Sequence, residues 1–307
     1  MTITYAAISD DGTIQGDATL ILEDSAKRRP ADEDRKPGIV FIDGLDTGRS
    51  FIFTKPQTVI GRSKDSDIKV RERDISRRHV MFDVADDGVQ VIDLRSRNGV
   101  YVNGIPVERQ YLENNDVVQI GSDVSIRFSM LTSAEIEFLK EMYRAAVYDS
   151  LTDTYNRRHF QNVLENCYDH RFKKKSRLAL LIVDIDHFKR LNDTFGHQIG
   201  DRALCHVASL IKDAVRNGDT VCRYGGEEFA VLLMDIDLER AKEIAERIRM
   251  AVEENPMVTE SFIIPMTVSV GGAAIDEAAT DPERLFGLAD SRMYGAKQAG
   301  RNKVFTG

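Results

Sequence analysis

Cysteine is scarce in this chain. Cys167, Cys205 and Cys222 are the only three in 307 residues, and none stand at a paired metal-binding spacing. A disulfide framework is therefore not what holds the fold, and the odd count suits a reducing compartment. Long apolar runs are missing as well: the longest uninterrupted one, Leu178 to Val183, is far too short to span a bilayer. There is no excess of positive charge. The formal net charge of −8 argues against nucleic acid as a partner, because non-specific binding needs a basic face. A local basic pocket for a phosphorylated ligand stays compatible with it. The N-terminus lacks a basic stretch followed by an apolar one, so no signal peptide is expected. The expected setting is cytoplasmic, with no membrane partner. What the chain does have is length enough for two domains, each with its own buried core.

The stretch most able to carry chemistry is Arg223-Tyr224-Gly225-Gly226-Glu227-Glu228-Phe229, between the apolar runs Thr220–Cys222 and Phe229–Met234. Two glycines between strand-like segments predict a tight hairpin, since glycine reaches positive φ without steric cost. Upstream, Leu178 to Val183 predicts a buried strand ending in Asp184 and Asp186. Brought together, Asp184 and Glu227 can share a magnesium ion that bridges nucleotide phosphates. The loop His187-Phe188-Lys189 leads into a helix, whose backbone amides and Lys189 can hold β- and γ-phosphates. Asn192 and Asp201 combine a donor-acceptor group with a pure acceptor, a pairing suited to a guanine edge. Lys297 and Arg301, four apart near the end of the last helix, can reach a triphosphate. Other readings stand beside these at this point. Acids after a strand also cap helices, which accounts for Asp186 as well as metal binding does, and cations near a helix C-terminus favour its macrodipole.

Taken in order, residues 1–37 predict a flexible tail, charged through Glu23–Pro37, with no core-forming period. Residues 38–130 predict a β-sandwich of short strands separated by Gly, Asn and Asp clusters. Its loops carry Gly61-Arg62, Ser76-Arg77-Arg78-His79 and Asn98-Gly99, groups that can read a phosphate by charge-assisted hydrogen bonds. Residues 131–148 predict one helix, capped by Ser133, with Ile136, Leu139, Tyr143 and Val147 at helical spacing. It is either packed on one domain or paired with its copy in a dimer. Residues 149–307 predict the element order βαββαβ, a split-βαβ sheet with helices on one face.

The order and spacing of GR, SxxH and NG resemble the forkhead-associated (FHA) domain over most of residues 38–130. That resemblance implies binding of a phosphothreonine peptide, with Arg62 and Ser76 on the phosphate, Arg77 lining the site and Asn98 on the peptide backbone. Gly61 and His79 would be structural. Arg97 stands where the family often has Ser or Thr and is a second-tier candidate.

Residues 149–307 resemble a GGDEF-family diguanylate cyclase domain, through DxLT…NRR, DIDxFKxxND, FGHxxGD, RYGGEEF and AKxxGRN. The whole would then be multidomain: an all-β FHA sandwich joined by a helix to an α/β GGDEF domain with a βαββαβ palm-like core. The resemblance implies that two GTP condense to cyclic di-GMP, with release of two pyrophosphates, in an antiparallel homodimer. Asp184, Glu227 and the Ile185 carbonyl would hold Mg2+, or Mn2+ in its place. Glu228 would be a second-metal or base-assisting group. Asn192 and Asp201 would read guanine. Lys189, Lys297 and Arg301 would hold phosphates, alongside His187, Phe188, Gly225 and Gly226. Arg216-Asn-Gly-Asp219, with Arg247 on the next helix, matches the family's RxxD site for inhibition by product. In the opening motif Asp153 replaces a common glycine, which the left-handed tolerance of Asp allows. A Ser/Thr kinase acting on the chain's own tail would supply the FHA ligand in cis; Thr19, with Leu22 three residues on, is the candidate, and a partner phosphoprotein is the alternative.

Overall fold

The computed structural model describes residues 4–8, 14–19, 35–70, 72, 74–174, 177–216, 218–278 and 281–307. Within the segment expected to be a flexible tail, β1 (Thr4–Ile8) and β2 (Ile14–Thr19) pair as an antiparallel hairpin, with Thr4 opposite Thr19. The side chain of Thr19 lies outside the described residues.

Two sheets build the sandwich. Its strands are β3 (Lys36–Asp43), β4 (Ser50–Ile52), β5 (Gln57–Gly61), β6 (Ile68–Lys69), β7 (Val80–Ala85) and β8 (Gly88–Asp93). Then follow β9 (Val100–Val102), β10 (Ile105–Pro106), β11 (Arg109–Tyr111), β12 (Val117–Ile120) and β13 (Val124–Leu131). The sheet orders are β10-β9-β12-β13-β3-β4 and β11-β8-β7-β5-β6, antiparallel except for the short β5–β6 pair. Alternating residues turn inward, as in β8, where Val89 and Val91 are buried and their neighbours are not. Phe53 and Phe82 stack across the core at 5.0 Å.

Helix α1 (Ser133–Val147) follows. Its N-cap is Thr132, not the expected Ser133: Thr132 accepts from the amide of Glu135, and the Glu135 carboxylate accepts from the amide of Thr132. The reciprocal capping box satisfies two orphan donors at once, which a cap at Ser133 would not do. Ile136 packs with Val40 and Leu131, so the helix lies on the sandwich. Tyr143, Tyr148, Tyr155 and His159 form a chain of ring contacts that carries the packing into the last domain. Asp153 adopts φ 52° and accepts an ion pair from Arg144 at 2.7 Å.

That domain comprises β14 (Tyr155–Asn156), α2 (Arg157–Lys174), β15 (Leu178–Ile185), α3 (Phe188–Phe195), α4 (His197–Ala214), β16 (Thr220–Gly225) and β17 (Glu228–Met234). It continues with α5 (Leu238–Glu254), β18 (Met257–Val258), β19 (Ile263–Ile264), β20 (Val268–Ala274), α6 (Ile275–Ala278), α7 (Pro282–Gln298) and β21 (Val304–Phe305). The sheet order is β14-β16-β17-β15-β20-β21, its four central strands antiparallel. The βαββαβ order is as expected, but helices cover both faces of the sheet instead of one. Leu181, Val183 and Ile185 pack toward α4 and α5, while Leu180 and Ile182 pack toward α2 and α7. The physical reason is the unbroken apolar run of β15, buried at every position. Such a strand must be covered on both sides. Among the described residues, no helix is long and apolar enough to cross a membrane.

Gly271 sets the approach of α7 to the sheet. A Cβ there would stand 2.0 Å from the carbonyl oxygen of Ala289 and 2.2 Å from the amide of Met293. Both are backbone atoms of a helix and cannot step aside. Gly271→Ala is expected to destabilise the domain by about 3 kcal/mol, read as a lowered midpoint in urea; an unchanged midpoint would mean that α7 is not held this tightly.

Candidate active site

The site is assembled at one end of the sheet. Asp184, next to last in β15, is paired in register with Glu228, the first residue of β17. Glu227 precedes it in the β16–β17 turn, and its carbonyl accepts from the amide of Ile185 at 3.4 Å. Of the two glycines at the tip, Gly226 alone has positive φ, 47°. Gly225 has open space where a Cβ would be. Arg223 clasps this tip, donating from Nε and Nη2 to the Gly226 carbonyl at 3.0 and 2.9 Å. Its Nη1 also pairs with Asp149 at 3.4 Å, and its amide donates to Thr154 Oγ1. The opening motif thus braces the hairpin. Sequence reading assigned Arg223 no role; its place beside the glycines was the available signal.

Asp184 is buried. Lys297 Nζ donates to its Oδ2 at 2.7 Å, and its Oδ1 is buried without a hydrogen-bond partner. Burial pushes its carboxyl up to about 6, with Lys297 opposing and Glu227 and Glu228 adding to the rise. Glu228 is also raised, by burial first and then by Asp290. An orphaned carboxylate oxygen beside further carboxylates fits a hard divalent cation. No cluster of three or more His, Cys, Asp or Glu forms a ready cage among the described residues. Few protein carboxylates plus ligand phosphates is the magnesium pattern.

The carboxylate of Asp184 is present above about pH 6 and lost below it. Cation affinity is therefore expected to fall as pH drops through 6, and raising the cation concentration should move this limb to lower pH, because cation and proton compete. Manganese titrations at several pH values check it, and a pH-independent affinity would remove Asp184 from the site. In the metal-free protein the sign for stability is the reverse of the usual carboxylate. The folded value lies above the ordinary 3.8, so stability contributed by the protonated form declines as pH rises from about 4 to 6.

Asp186 is neither a helix cap nor placed toward that cation. It accepts from Thr267 Oγ1 and Ser269 Oγ, each at 2.7 Å, and from the Asn302 amide at 3.0 Å. Arg301 and Asn302 both have positive φ, 64° and 48°. Asp186 therefore pins the left-handed turn that carries Arg301, a role that sequence spacing could not reveal.

Helix α3 starts at Phe188, after His187 at φ 58° with no side-chain cap on its first amides. Those amides, with the exposed Lys189, are free to meet an anion. The Phe188 side chain itself belongs to the core, leaving only its backbone for a ligand. Asn192 Oδ1 is buried and unpartnered. Gly200 makes its space, since a Cβ there would lie 1.8 Å from that oxygen. Asp201, the next residue of α4, is exposed.

At the far end of the sheet, Arg216 Nε pairs with the buried Asp219 at 3.2 Å, and Arg216 also donates to the Met234 carbonyl. Arg247 Nε donates to the Ala214 carbonyl at 2.8 Å. Leu178, at this end of β15, stands six residues before Asp184, roughly 20 Å along the strand.

The sandwich brings Arg62, Ser76, Arg77, Arg97 and Asn98 around one open cavity of 1280 Å³, joined by Arg78 and Tyr101, which sequence reading did not assign. Ser76 Oγ accepts from the Arg97 amide at 3.1 Å, leaving its own proton for a ligand oxygen. Asn98 donates to the Asp74 carbonyl at 2.8 Å. His79 Nδ1 accepts from the Ser76 amide at 3.1 Å, and Nε2 lies 3.0 Å from the Gly99 carbonyl. That pairing requires the Nε2–H tautomer, and burial lowers its basicity. Gly61 lets β5 pass the Arg77 carbonyl, 2.3 Å from where a Cβ would sit.

These features define an α/β palm-like domain with an acidic strand end, coupled to a β-sandwich with an arginine-lined loop cavity. The chain belongs to the family described as "Diguanylate cyclase, GGDEF domain", whose model matches residues 146–303; the FHA domain model matches residues 58–121. Similar curated proteins include the probable diguanylate cyclase DgcT of Escherichia coli, 44% identical over 158 residues, covering 51% of this chain and 34% of that protein. The response regulator PleD of Caulobacter vibrioides is 41% identical over 161 residues, covering 52% of this chain and 36% of its own. The chain thus spans about a third of the length of these relatives. Among solved structures, the coiled coil and GGDEF domain of DgcB from Caulobacter crescentus, in complex with c-di-GMP, superposes with a TM-score of 0.53. It is 31% identical and covers 56% of this chain and 91% of that one.

Proposed function

We propose that this protein is a diguanylate cyclase that condenses two GTP into cyclic di-GMP as a homodimer, under control of phosphothreonine binding by its FHA domain and of its own product. The observation that carries the reading is Asp184: buried, with one oxygen orphaned and the other held by Lys297, at a strand end shared with Glu227 and Glu228. A magnesium ion, or manganese in its place, held by Asp184, Glu227 and the Ile185 carbonyl, would polarise the attacked phosphorus and neutralise the departing pyrophosphate.

The chain's own groups do the rest. The uncapped amides of α3 with Lys189, and Lys297 with Arg301, bind the β- and γ-phosphates. Asn192 and Asp201 read the guanine edge, and the buried, unpartnered Asn192 Oδ1 supports this. The 3′-hydroxyl oxygen of each nucleotide bonds to the α-phosphorus of the opposite one as the bond to pyrophosphate breaks. Glu228, whose basicity burial raises, is placed to help remove the hydroxyl proton. Each site holds one GTP, so two copies must face each other. Phe138 and Met142, exposed one turn apart on α1, support pairing of that helix with its copy.

The FHA cavity takes a phosphothreonine segment, from the chain's own tail with Thr19 as candidate or from a partner, after action of a Ser/Thr kinase. Arg216 and Asp219, with Arg247, take the product. A cytoplasmic setting fits Cys167, Cys205 and Cys222, which form no disulfide among the described residues. The test is product formation from GTP and magnesium by nucleotide-stripped protein, before and after threonine phosphorylation, beside Glu227→Ala. Cyclic di-GMP from the parent protein alone supports the reading; silence in both phosphorylation states overturns it.

A further inference from the structure

The turn between α7 and β21 is held by residues from two distant parts of the chain. Gly300, Arg301 and Asn302 all have positive φ, at 109°, 64° and 48°. Glycine adopts that region freely, but arginine and asparagine store strain there, which persists only where the surroundings over-determine it. Asp186 supplies one restraint, accepting from the Asn302 amide at 3.0 Å. The others come from α5. Arg249 Nη1 donates to Asn302 Oδ1 at 2.8 Å, and Asn302 Nδ2 donates to Glu253 Oε1 at 2.7 Å. Asparagine suits the place, because its side-chain amide offers an acceptor to the cation and a donor to the anion.

Arg249 and Glu253 are themselves locked. Arg249 Nη1 donates to Glu253 Oε2 at 2.6 Å and its Nε to Glu246 Oε2 at 2.8 Å, and the side chain is only 16% exposed. Arg249 first, and then Asn302, hold the Glu253 carboxyl below its ordinary range, so it stays an anion. Arg301 differs from its neighbours in this network. It is half-buried, and its side chain makes no ion pair or hydrogen bond among the described residues. Its backbone is fixed, the amide donating to the Ala296 carbonyl at 3.1 Å. A strained turn, tied down at the next residue, thus presents one uncommitted guanidinium. Seating β21 does not require this strain, since that strand already pairs with β20, Val304 opposite Val270.

We propose that Arg249 and Glu253 are positioning residues for the nucleotide triphosphate: through Asn302 they hold the turn from which Arg301 meets the terminal phosphates. The proposal rests on the reading of the chain as a cyclase with Arg301 on the phosphates of GTP, and it adds a support on α5 to the one from Asp186. A guanidinium whose backbone is set before the nucleotide arrives loses less freedom on binding, and the affinity gained is what the network supplies.

The test is a double-mutant cycle, read by calorimetric titration of a non-hydrolysable GTP analogue with magnesium into the full chain stripped of nucleotide. The parent is compared with Arg249→Met, Arg301→Ala and the double variant, and circular dichroism confirms folding. Arg301→Ala is expected to weaken binding about tenfold and Arg249→Met about fivefold, with the double variant within about twofold of Arg301→Ala alone. A double variant weakened by the product of the two single effects would mean that Arg249 acts elsewhere, and would overturn the proposal. So would an Arg249→Met variant that binds like the parent. Should Arg249→Met not fold, Glu253→Gln takes its place: Glu253 is 46% exposed, and glutamine keeps an acceptor for Asn302 while losing the charge. It is expected to weaken binding about threefold, again without effect beyond Arg301→Ala, and parent-like binding would overturn the proposal. In turnover these variants should raise KM for GTP with kcat within about twofold of the parent. A lowered kcat at unchanged KM is the mark of a smaller folded fraction and would overturn the positioning role. Parent-like binding by Arg301→Ala would overturn both the phosphate role of Arg301 and its positioning, while turnover beside Glu227→Ala separately decides the cyclase reading.

Discussion

Asp184→Asn, and Glu227→Ala beside it, is expected to lower cyclic di-GMP formation about a thousandfold, at unchanged secondary structure. The substitution at Asp184 is nearly isosteric and removes only the negative charge. In the parent protein that charge is kept in an unfavourable place. Burial raises the carboxyl's pKa to about 6, and Oδ1 has no partner. Groups held at such a cost cluster at functional sites, although structural ion pairs also shift a pKa. The Lys297 contact at 2.7 Å could by itself be read as a structural bridge, so turnover should not be the sole readout. Magnesium with a non-hydrolysable GTP analogue should raise the melting temperature of the parent, and neither variant should show that rise. Turnover within tenfold of the parent in Asp184→Asn would remove this residue from the metal site.

The second large effect is on the sensory domain. Arg62→Ala is expected to weaken binding of a phosphothreonine peptide from the tail about a hundredfold, with the sandwich still folded. Arg62 follows β5 directly, and its Nε donates to the Ile75 carbonyl at 3.3 Å. That bond fixes the guanidinium and leaves its outer nitrogens for the phosphate. Arg77, Arg78 and Arg97 line the same cavity but start from different loops, so none replaces it in geometry. Ser76→Ala should cost less, because it removes one neutral hydroxyl. Fluorescence anisotropy with phosphorylated and unphosphorylated peptides measures both. Equal binding of the two peptides, or an Arg62→Ala variant that binds like the parent, would end the phosphothreonine assignment.

Much of this was legible in the sequence because the chemistry is local. A turn with two glycines and two acids, a buried strand ending in Asp184, and loops with GR, SxxH and NG are each contiguous. Short-range backbone geometry determines what each can do. The left-handed conformation allowed to Asp153 was legible in the same way, and the structure has it at φ 52°. Where several contiguous pieces had to be combined, the reading held only in part. The run Leu178 to Val183 implied a buried strand, and its lack of alternation also carried the news that helices lie on both sides of the sheet.

Other features depend on residues far apart in the chain. Asp186 receives Thr267, Ser269 and Asn302, which lie 81, 83 and 116 positions away. Arg223 ties the signature turn to Asp149 across 74 residues. The Thr132 cap needed the rotamer of Glu135, and the contact of Leu45 with the core of the last domain needed the packing of two domains. The sequence by itself determined which elements form and which groups can hold a cation, a phosphate or a guanine, because backbone preference and side-chain chemistry act over a few residues. Tertiary structure alone decided which of those groups share a charge, which are orphaned and which face one another across a cavity, because burial and Coulomb interaction depend on distance in space.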